Sequence, residues 1–175
     1  MKIYSNGASF AFGKYPEYLA KSLNAELDNV SRPGYANRSI WRTTLECDPK
    51  KYDLAVIQLT TPSRTEFFDG RKWRLVSVQE PPSKMWEFYY ENIYHDKMGL
   101  CNENFAHIGI KDHFAIHNVP CIIVTTELNA KNRNFDINLW DIKFPLDETR
   151  HPTDFGHKII SKVILNYYET LISGM

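Results

Sequence analysis

The sequence has no net charge, because its 21 lysine and arginine residues are balanced by 21 aspartate and glutamate residues. A chain without an excess of positive charge has no extended field to attract nucleic acid or an anionic membrane surface. It also lacks an apolar stretch long enough for the core of a signal peptide or for a membrane span. We therefore expect a small-molecule partner, no nucleic acid partner and no membrane partner.

Cysteine is scarce. The three cysteines, Cys47, Cys101 and Cys121, are odd in number and widely spaced, and no two of them form a CxxC pair. This pattern excludes a disulfide-rich secreted scaffold. It predicts free thiols in a reducing compartment, and hence a cytoplasmic protein.

The chain does contain enough apolar side chain for a core, since 43% of its 175 residues are hydrophobic. We expect a single domain over 1–175. The nearly continuous apolar run Leu54–Ile57 is typical of a strand that is buried on both faces in a parallel sheet. Strands that alternate with helical segments predict an α/β fold, a three-layer αβα sandwich around a parallel, flavodoxin-like sheet. The predicted strands cover 2–5, 26–30, 54–57 and 121–124, with a short last strand at 139–144.

The segment from about 62 to 118 departs from this alternation, and we interpret it as an insertion over the rim of the sheet. Asp69-Gly70 separates two apolar stretches and predicts a small hairpin. Two helices are predicted after it, at 83–97 and 104–117.

Three side chains at opposite ends of the chain suggest hydrolytic chemistry. Ser9 follows the first strand, at the carboxyl edge where open α/β sheets bind ligands. A serine hydroxyl needs a base to take its proton, and the base needs a third group to orient it. Asp154 and His157 stand three residues apart at the predicted start of the last helix, where both side chains can project toward one point.

These motifs resemble the SGNH hydrolases, also called GDSL esterases and lipases, over essentially the whole chain. The first block of that family, Gly-Asp-Ser and then an aromatic residue or leucine, is similar to Gly7–Phe10. The second block, a glycine with an asparagine a few residues on, is similar to Gly34 and Asn37. The fifth block, Asp-x-x-His after a His-Pro pair, is similar to residues 151–157.

The resemblance implies the SGNH hydrolase fold and a role for each matched residue. Ser9 would attack the carbonyl, His157 would act as general base and acid, and Asp154 would orient it. The backbone amides of Ser9 and Gly34 would contribute to the oxyanion hole. No cofactor and no metal are implied.

The third block departs from the family. Where the family has Gly-x-Asn-Asp, residues 58–62 read Gln-Leu-Thr-Thr-Pro, and the oxyanion asparagine is missing. Loss of one such donor typically costs about 100-fold to 1000-fold in turnover. The candidate substitutes are Gln58, Thr60, Thr61 and Asn37.

Two further residues are candidates for contact with a substrate. Gln58 lies at the end of the third strand, and Arg64 lies just past it. The alternative for Arg64 is an ion pair with Glu66 or another neighbour.

Two functions follow from these residues. The first is a serine esterase or acetylhydrolase that forms an acyl-enzyme on Ser9 and acts on a short-chain acyl ester, with an acetylated carbohydrate as one candidate. The alternative is a binding or assembly module that keeps the fold without turnover, as the missing asparagine permits. The sequence leaves the oligomeric state open.

Overall fold

A five-stranded parallel sheet forms the centre of the computed structural model, which describes residues 1–78, 81, 83–126 and 135–174. Its strands are β1 Lys2–Gly7, β2 Glu26–Asn29, β3 Leu54–Leu59, β6 Cys121–Thr125 and β7 Ile137–Asn138. They run in the order β2-β1-β3-β6-β7, and every neighbouring pair is parallel. This is the flavodoxin-like order, and it confirms the predicted sheet.

Helices cover both faces of the sheet. Alternate side chains of a strand point to opposite faces, and each face of the sheet has its own cluster of buried apolar residues. Val56 of β3 lies in one cluster and the next residue, Ile57, lies in the other. Burial on both faces explains the continuous apolar sequence of β3, and the three-layer αβα prediction is confirmed. One face carries α1 Ser9–Phe12, α2 Tyr15–Ser22 and α6 Asp154–Ser173, and the other carries α3 Asn37–Leu45 and α5 Asp96–Ala115.

The last strand differs from its prediction. We expected it at 139–144, whereas β7 is only Ile137–Asn138 and a 3-10 turn follows at Leu139–Asp141. The side chain of Asn138 accepts a hydrogen bond from the amide of Trp140, which stabilises the turn at the point where the apolar sequence continues.

The segment at 62–118 has two parts in the structure. Strands β4 Thr65–Phe68 and β5 Trp73–Val76 form the predicted hairpin, and α4 Lys84–Asn92 has no buried residue. By contrast, α5 packs against α3 and contributes Ile110 and Phe114 to the core, so it belongs to the sandwich. The material that lies outside the three layers therefore ends before α5.

The hairpin is attached to α3 by one buried carboxylate. Glu66 of β4 is 5% exposed. It accepts hydrogen bonds from Ser39 at 2.7 Å and from Nε of Arg42 at 3.0 Å, and the guanidinium of Arg42 also lies over the ring of Trp73. These contacts hold the hairpin beside the carboxyl edge of the sheet.

Within the described ranges, no helix combines the length and apolarity that a bilayer crossing requires.

Candidate active site

Ser9 begins a short helix just after the interior strand β1. The turn between them is tight, since a Cβ atom on Gly7 would lie 2.7 Å from Cβ of Ala11 and 2.8 Å from Cβ of Gln58. Only glycine permits this approach. Ser9 is thus held at the carboxyl edge of the sheet, at the first position of α1, where a backbone amide has no acceptor within the helix.

Gln58 of the neighbouring strand β3 holds this turn in place through hydrogen bonds. Its Oε1 accepts hydrogen bonds from the amides of Ala8 at 3.1 Å and Ala11 at 3.2 Å, on either side of Ser9. Its Nε2 donates to the carbonyl of Leu59 at 2.9 Å. The side chain is 1% exposed. Gln58 therefore positions the serine turn, and its burial argues against the direct substrate contact that we predicted.

Asn37 and Thr60 form a reciprocal pair. Nδ2 of Asn37 donates to the carbonyl of Thr60 at 2.9 Å, and the amide of Thr60 donates to Oδ1 of Asn37 at 2.8 Å. The two residues are 3% and 4% exposed. Asn37 thus joins the start of α3 to the end of β3, and its burial argues against its acting as a free oxyanion donor.

The other two oxyanion candidates lie in turns. Gly34 has φ +80° in the turn from Arg32 to Tyr35, which is closed by a hydrogen bond of 3.3 Å from the Tyr35 amide to the Arg32 carbonyl. With Pro33 before it, this is the type II geometry that requires glycine. Thr61 is half-buried, and its hydroxyl lies 3.3 Å from the hydroxyl of Ser63.

Asp154 does not hold His157 in the structure, which corrects the predicted arrangement of these two residues. Its carboxylate accepts hydrogen bonds from Tyr18 at 2.5 Å and Lys14 at 3.2 Å, and it pairs with Lys158 at 2.8 Å. These partners, Lys158 foremost, lower the pKa of Asp154. The reason is positional: Asp154 is the first residue of α6 and faces the exposed side of α2.

His157 lies one turn further along α6 and is buried, with 8% exposure. Its Nδ1 has no hydrogen-bond partner among the residues that the structure describes, and its ring stacks on Tyr15 with centroids 6.3 Å apart. A Cβ atom on Gly13 would lie 2.5 Å from its Nε2. Burial lowers the pKa of His157, because a charged imidazolium is poorly solvated there. The catalytic roles of Asp154 and His157 remain predictions, and the contacts favour a packing role.

A second histidine lies beside the serine turn. The ring of His151 is 5.7 Å from the ring of Phe10, the residue that follows Ser9. Nδ1 of His151 is 3.0 Å from the hydroxyl of Thr149, which in turn donates to Oδ1 of Asp147 at 2.6 Å. The hydroxyl has a single proton, which it donates in the hydrogen bond to Asp147. It therefore accepts a hydrogen bond from Nδ1–H of His151. This tautomer leaves Nε2 as the basic nitrogen.

The loop that carries His151 is tightly closed. Oδ1 of Asp147 also accepts from the amides of Thr149 at 2.8 Å and His151 at 3.1 Å, and these bonds, led by the Thr149 hydroxyl, lower the pKa of Asp147. Arg150 has φ +61°, a conformation that costs energy in a residue other than glycine. Strained backbone of this kind clusters at functional sites. The group of Asp147, Thr149 and His151 was not predicted from the sequence, although its His-Pro pair was visible.

Arg64 stands on the other side of the third strand's end. It is half-buried, and its Nη1 donates to the hydroxyl of Thr60 at 3.2 Å. The predicted alternative, an ion pair with Glu66, does not occur, because Glu66 is bound by Arg42. Burial lowers the pKa of Arg64.

The residues that the structure describes contain no group of three or more His, Cys, Asp or Glu that could hold a metal ion.

The chain is similar to several known proteins in its structure. No protein-family model and no curated protein matches the sequence. A lipolytic protein of the G-D-S-L family from Desulfitobacterium hafniense has a similar structure, with a TM-score of 0.61 and 11% identity over 95% of this chain and 98% of its own.

Two further solved structures are similar. The acetyl xylan esterase Est2A from the rumen bacterium Butyrivibrio proteoclasticus has a TM-score of 0.56 at 14% identity, and the match covers 98% of this chain and 64% of that protein. An alpha/beta hydrolase from the metagenome of Lake Arreo has a TM-score of 0.57 at 14% identity over 95% and 94% of the two chains. The similarity confirms that this chain has an SGNH/GDSL-like hydrolase fold.

Proposed function

We propose that this protein is a serine hydrolase that cleaves a carboxylic ester through an acyl-enzyme on Ser9, with His151 as the general base. The observation that carries the proposal is the position of Ser9: its turn is fixed by Gln58 at the carboxyl edge of the sheet, and an imidazole with a defined tautomer lies against the next residue, Phe10. Nucleophile, base and orienting group are the parts that acyl transfer needs.

The proposed reaction has two steps. Nε2 of His151 takes the Ser9 hydroxyl proton while Oγ forms a bond to the ester carbonyl carbon, and the tetrahedral intermediate expels the alcohol, which receives that proton from His151. Water then attacks the acyl-enzyme, gives a proton to His151 and releases the acid, and Ser9 recovers its proton. The amides of Ser9 and Gly34 are the proposed oxyanion donors, with Thr61 as a further candidate.

His157 is the alternative base, with Asp154 as its partner. It is the weaker candidate, because a base needs an orienting group and access to the nucleophile, whereas His157 is buried and no described residue bonds to its Nδ1. Substitution of each histidine in turn distinguishes His151 from His157 as the base.

The proposed substrates are short-chain acyl esters, and acetylated carbohydrates are the first to test because one similar structure is an acetyl xylan esterase by name. A cytoplasmic, cofactor-independent enzyme remains our expectation. The competing function is a binding or assembly module without turnover, favoured by the missing third-block asparagine and by the full engagement of Asn37 with Thr60.

A fluorophosphonate probe tests the proposal, because it reacts with activated serine hydroxyls. We expect labelling of the wild type, with the adduct on the peptide that contains Ser9, and no labelling of Ser9→Ala. Ser22→Ala, which removes an exposed serine hydroxyl, is the matched control and should label normally. Folded wild-type protein that takes up no probe and hydrolyses no ester in a mass-spectrometric screen would favour the binding module.

A further inference from the structure

The guanidinium of Arg64 is a half-buried positive charge without a carboxylate partner among the described residues. An arginine presents five N–H donors, and within the described part of the chain this one makes a single side-chain hydrogen bond, to the hydroxyl of Thr60. Burying a cation without a counter-ion is costly. Arg42 is the useful contrast: its guanidinium binds Glu66, and that bond raises its pKa, whereas burial lowers the pKa of Arg64.

Arg64 lies at the same edge of the sheet as Ser9. Strands β1 and β3 are parallel neighbours with Gly7 opposite Gln58, so Ser9 and Thr60 each stand two residues beyond this pair. Both strands leave the sheet in the same direction, and the guanidinium of Arg64 is bound to the Thr60 hydroxyl, so Arg64 and Ser9 stand at the same carboxyl edge, where open α/β sheets bind ligands.

The loop around Arg64 is held from several sides. The hydroxyl of Tyr90 donates to the carbonyl of Ser63 at 2.9 Å. A Cβ atom on Gly99 would lie 2.9 Å from the carbonyl of Pro62, so α5 packs closely against this loop. Thr60 itself is fixed by Asn37. A charged group that is held in place before a ligand arrives loses little entropy on binding, which favours recognition of an anion.

We propose that Arg64 binds an anionic group of the ligand in the Ser9 site, so that the preferred substrate is an acyl ester of a molecule with a carboxylate or phosphate group. That the ligand is a substrate rests on the proposed function. That it carries a negative charge rests on the guanidinium of Arg64, which has no carboxylate partner among the described residues. A planar guanidinium donates two parallel hydrogen bonds to such oxyanions, which gives both affinity and orientation.

A matched pair of esters tests the charge preference. The para- and meta-isomers of acetoxybenzoate carry a carboxylate, and the corresponding acetoxybenzamides are neutral compounds of nearly the same shape. The ratio of kcat/KM for the anionic ester to that for the neutral ester should fall about 10-fold to 100-fold in Arg64→Gln, the range expected for a charge-assisted hydrogen bond. Arg64→Lys should recover part of it. Arg71→Gln, which removes an exposed guanidinium from the hairpin turn, should leave the ratio unchanged.

Product binding separates this inference from the proposed function. Ser9→Ala cannot form an acyl-enzyme, so titration calorimetry with hydroxybenzoate and hydroxybenzamide measures recognition alone. Tighter binding of the anion to Ser9→Ala, lost in Ser9→Ala with Arg64→Gln, supports the inference even if no ester is hydrolysed. Equal binding of the two products, or no binding of either, overturns it, and hydrolysis with a ratio that Arg64→Gln leaves unchanged overturns it while the proposed function stands.

Discussion

The hydroxyl of Thr149 lies 3.0 Å from Nδ1 of His151 and at the same time donates to Asp147. A hydroxyl between a carboxylate and an imidazole can do what a carboxylate does directly in a serine triad: it fixes the tautomer and the orientation of the ring. In this loop the charge of Asp147 reaches His151 through Thr149, so the threonine is a positioning residue in the proposed mechanism.

Thr149→Val should lower kcat/KM about 10-fold to 100-fold, because one hydrogen bond to a charged group is lost and the imidazole is free to change tautomer. Thr149→Ser should restore most of the activity. The 15N chemical shifts of His151 are the accompanying readout, with a larger Nε2–H fraction expected in Thr149→Val. An unchanged tautomer together with full activity would show that the threonine is not needed.

The two carboxylates near the start of α6 should differ in their effect on labelling. Asp147→Asn should slow the fluorophosphonate reaction about 10-fold or more, since the carboxylate of Asp147 accepts the hydrogen bond from the Thr149 hydroxyl that orients His151. Asp154→Asn should leave it nearly unchanged, because its carboxylate binds Lys14, Tyr18 and Lys158. The reverse order would restore the Asp154–His157 pair predicted from the sequence. The second-order rate constant of labelling is the measurement.

Much of the fold could be predicted from the sequence because burial leaves a local signal. The runs around Val56 and Ile123 are apolar at every position, as strands buried on both faces must be. Helix α5 was harder, since its first turns carry polar residues on the exposed side, and its start is set by His95, whose ring accepts from the amide of Lys97.

The serine turn was predictable because all of it is local in the sequence: the first strand ends at Gly7, and Ser9 follows two positions later. The choice between His151 and His157 was not, because both stand near the start of the last helix. Which of them faces Phe10 depends on how α6 packs against Tyr15, a contact between residues far apart in the chain. Spacing of three residues placed Asp154 and His157 on one side of a helix without revealing that Lys14 and Tyr18 take the carboxylate.

Glu66 should be important for stability. Glu66→Ala removes the buried carboxylate that binds Arg42 and Ser39, and leaves Arg42 with the exposed Glu46 as its counter-ion. It should lower the free energy of unfolding by about 3 kcal/mol. Glu46, which also pairs with Arg42 but is exposed, is the matched control, and Glu46→Ala should cost less than about 0.5 kcal/mol. Urea denaturation of both variants provides the measurement. Equal losses would mean that the buried bonds to Ser39 and Arg42 do not anchor the hairpin.

His157 should make the fold sensitive to acid. The pKa of His157 is lowered in the folded protein from the ordinary histidine value of about 6.5. As the pH falls below about 6.5, the imidazole of the unfolded chain is therefore protonated before that of the folded protein. Stability is therefore lost on acidification below that value, at no more than about 1.4 kcal/mol per pH unit for one proton.

His157→Gln removes this proton uptake and should flatten the plot of unfolding free energy against pH between about 7 and 5. The slope is informative even if the variant is less stable throughout. His117→Gln, at an exposed histidine, is the matched control. A slope in His157→Gln as steep as that of the wild type would contradict a buried, neutral imidazole.

The most direct test of the account compares the two histidines as bases for Ser9. The measurement is the second-order rate constant of fluorophosphonate labelling in His151→Gln and His157→Gln, each corrected for its folded fraction. We predict a loss of about 1000-fold or more in His151→Gln, as expected when a triad base is removed, and a loss of less than about 10-fold in His157→Gln. Normal labelling of His151→Gln with a large loss in His157→Gln would contradict the account.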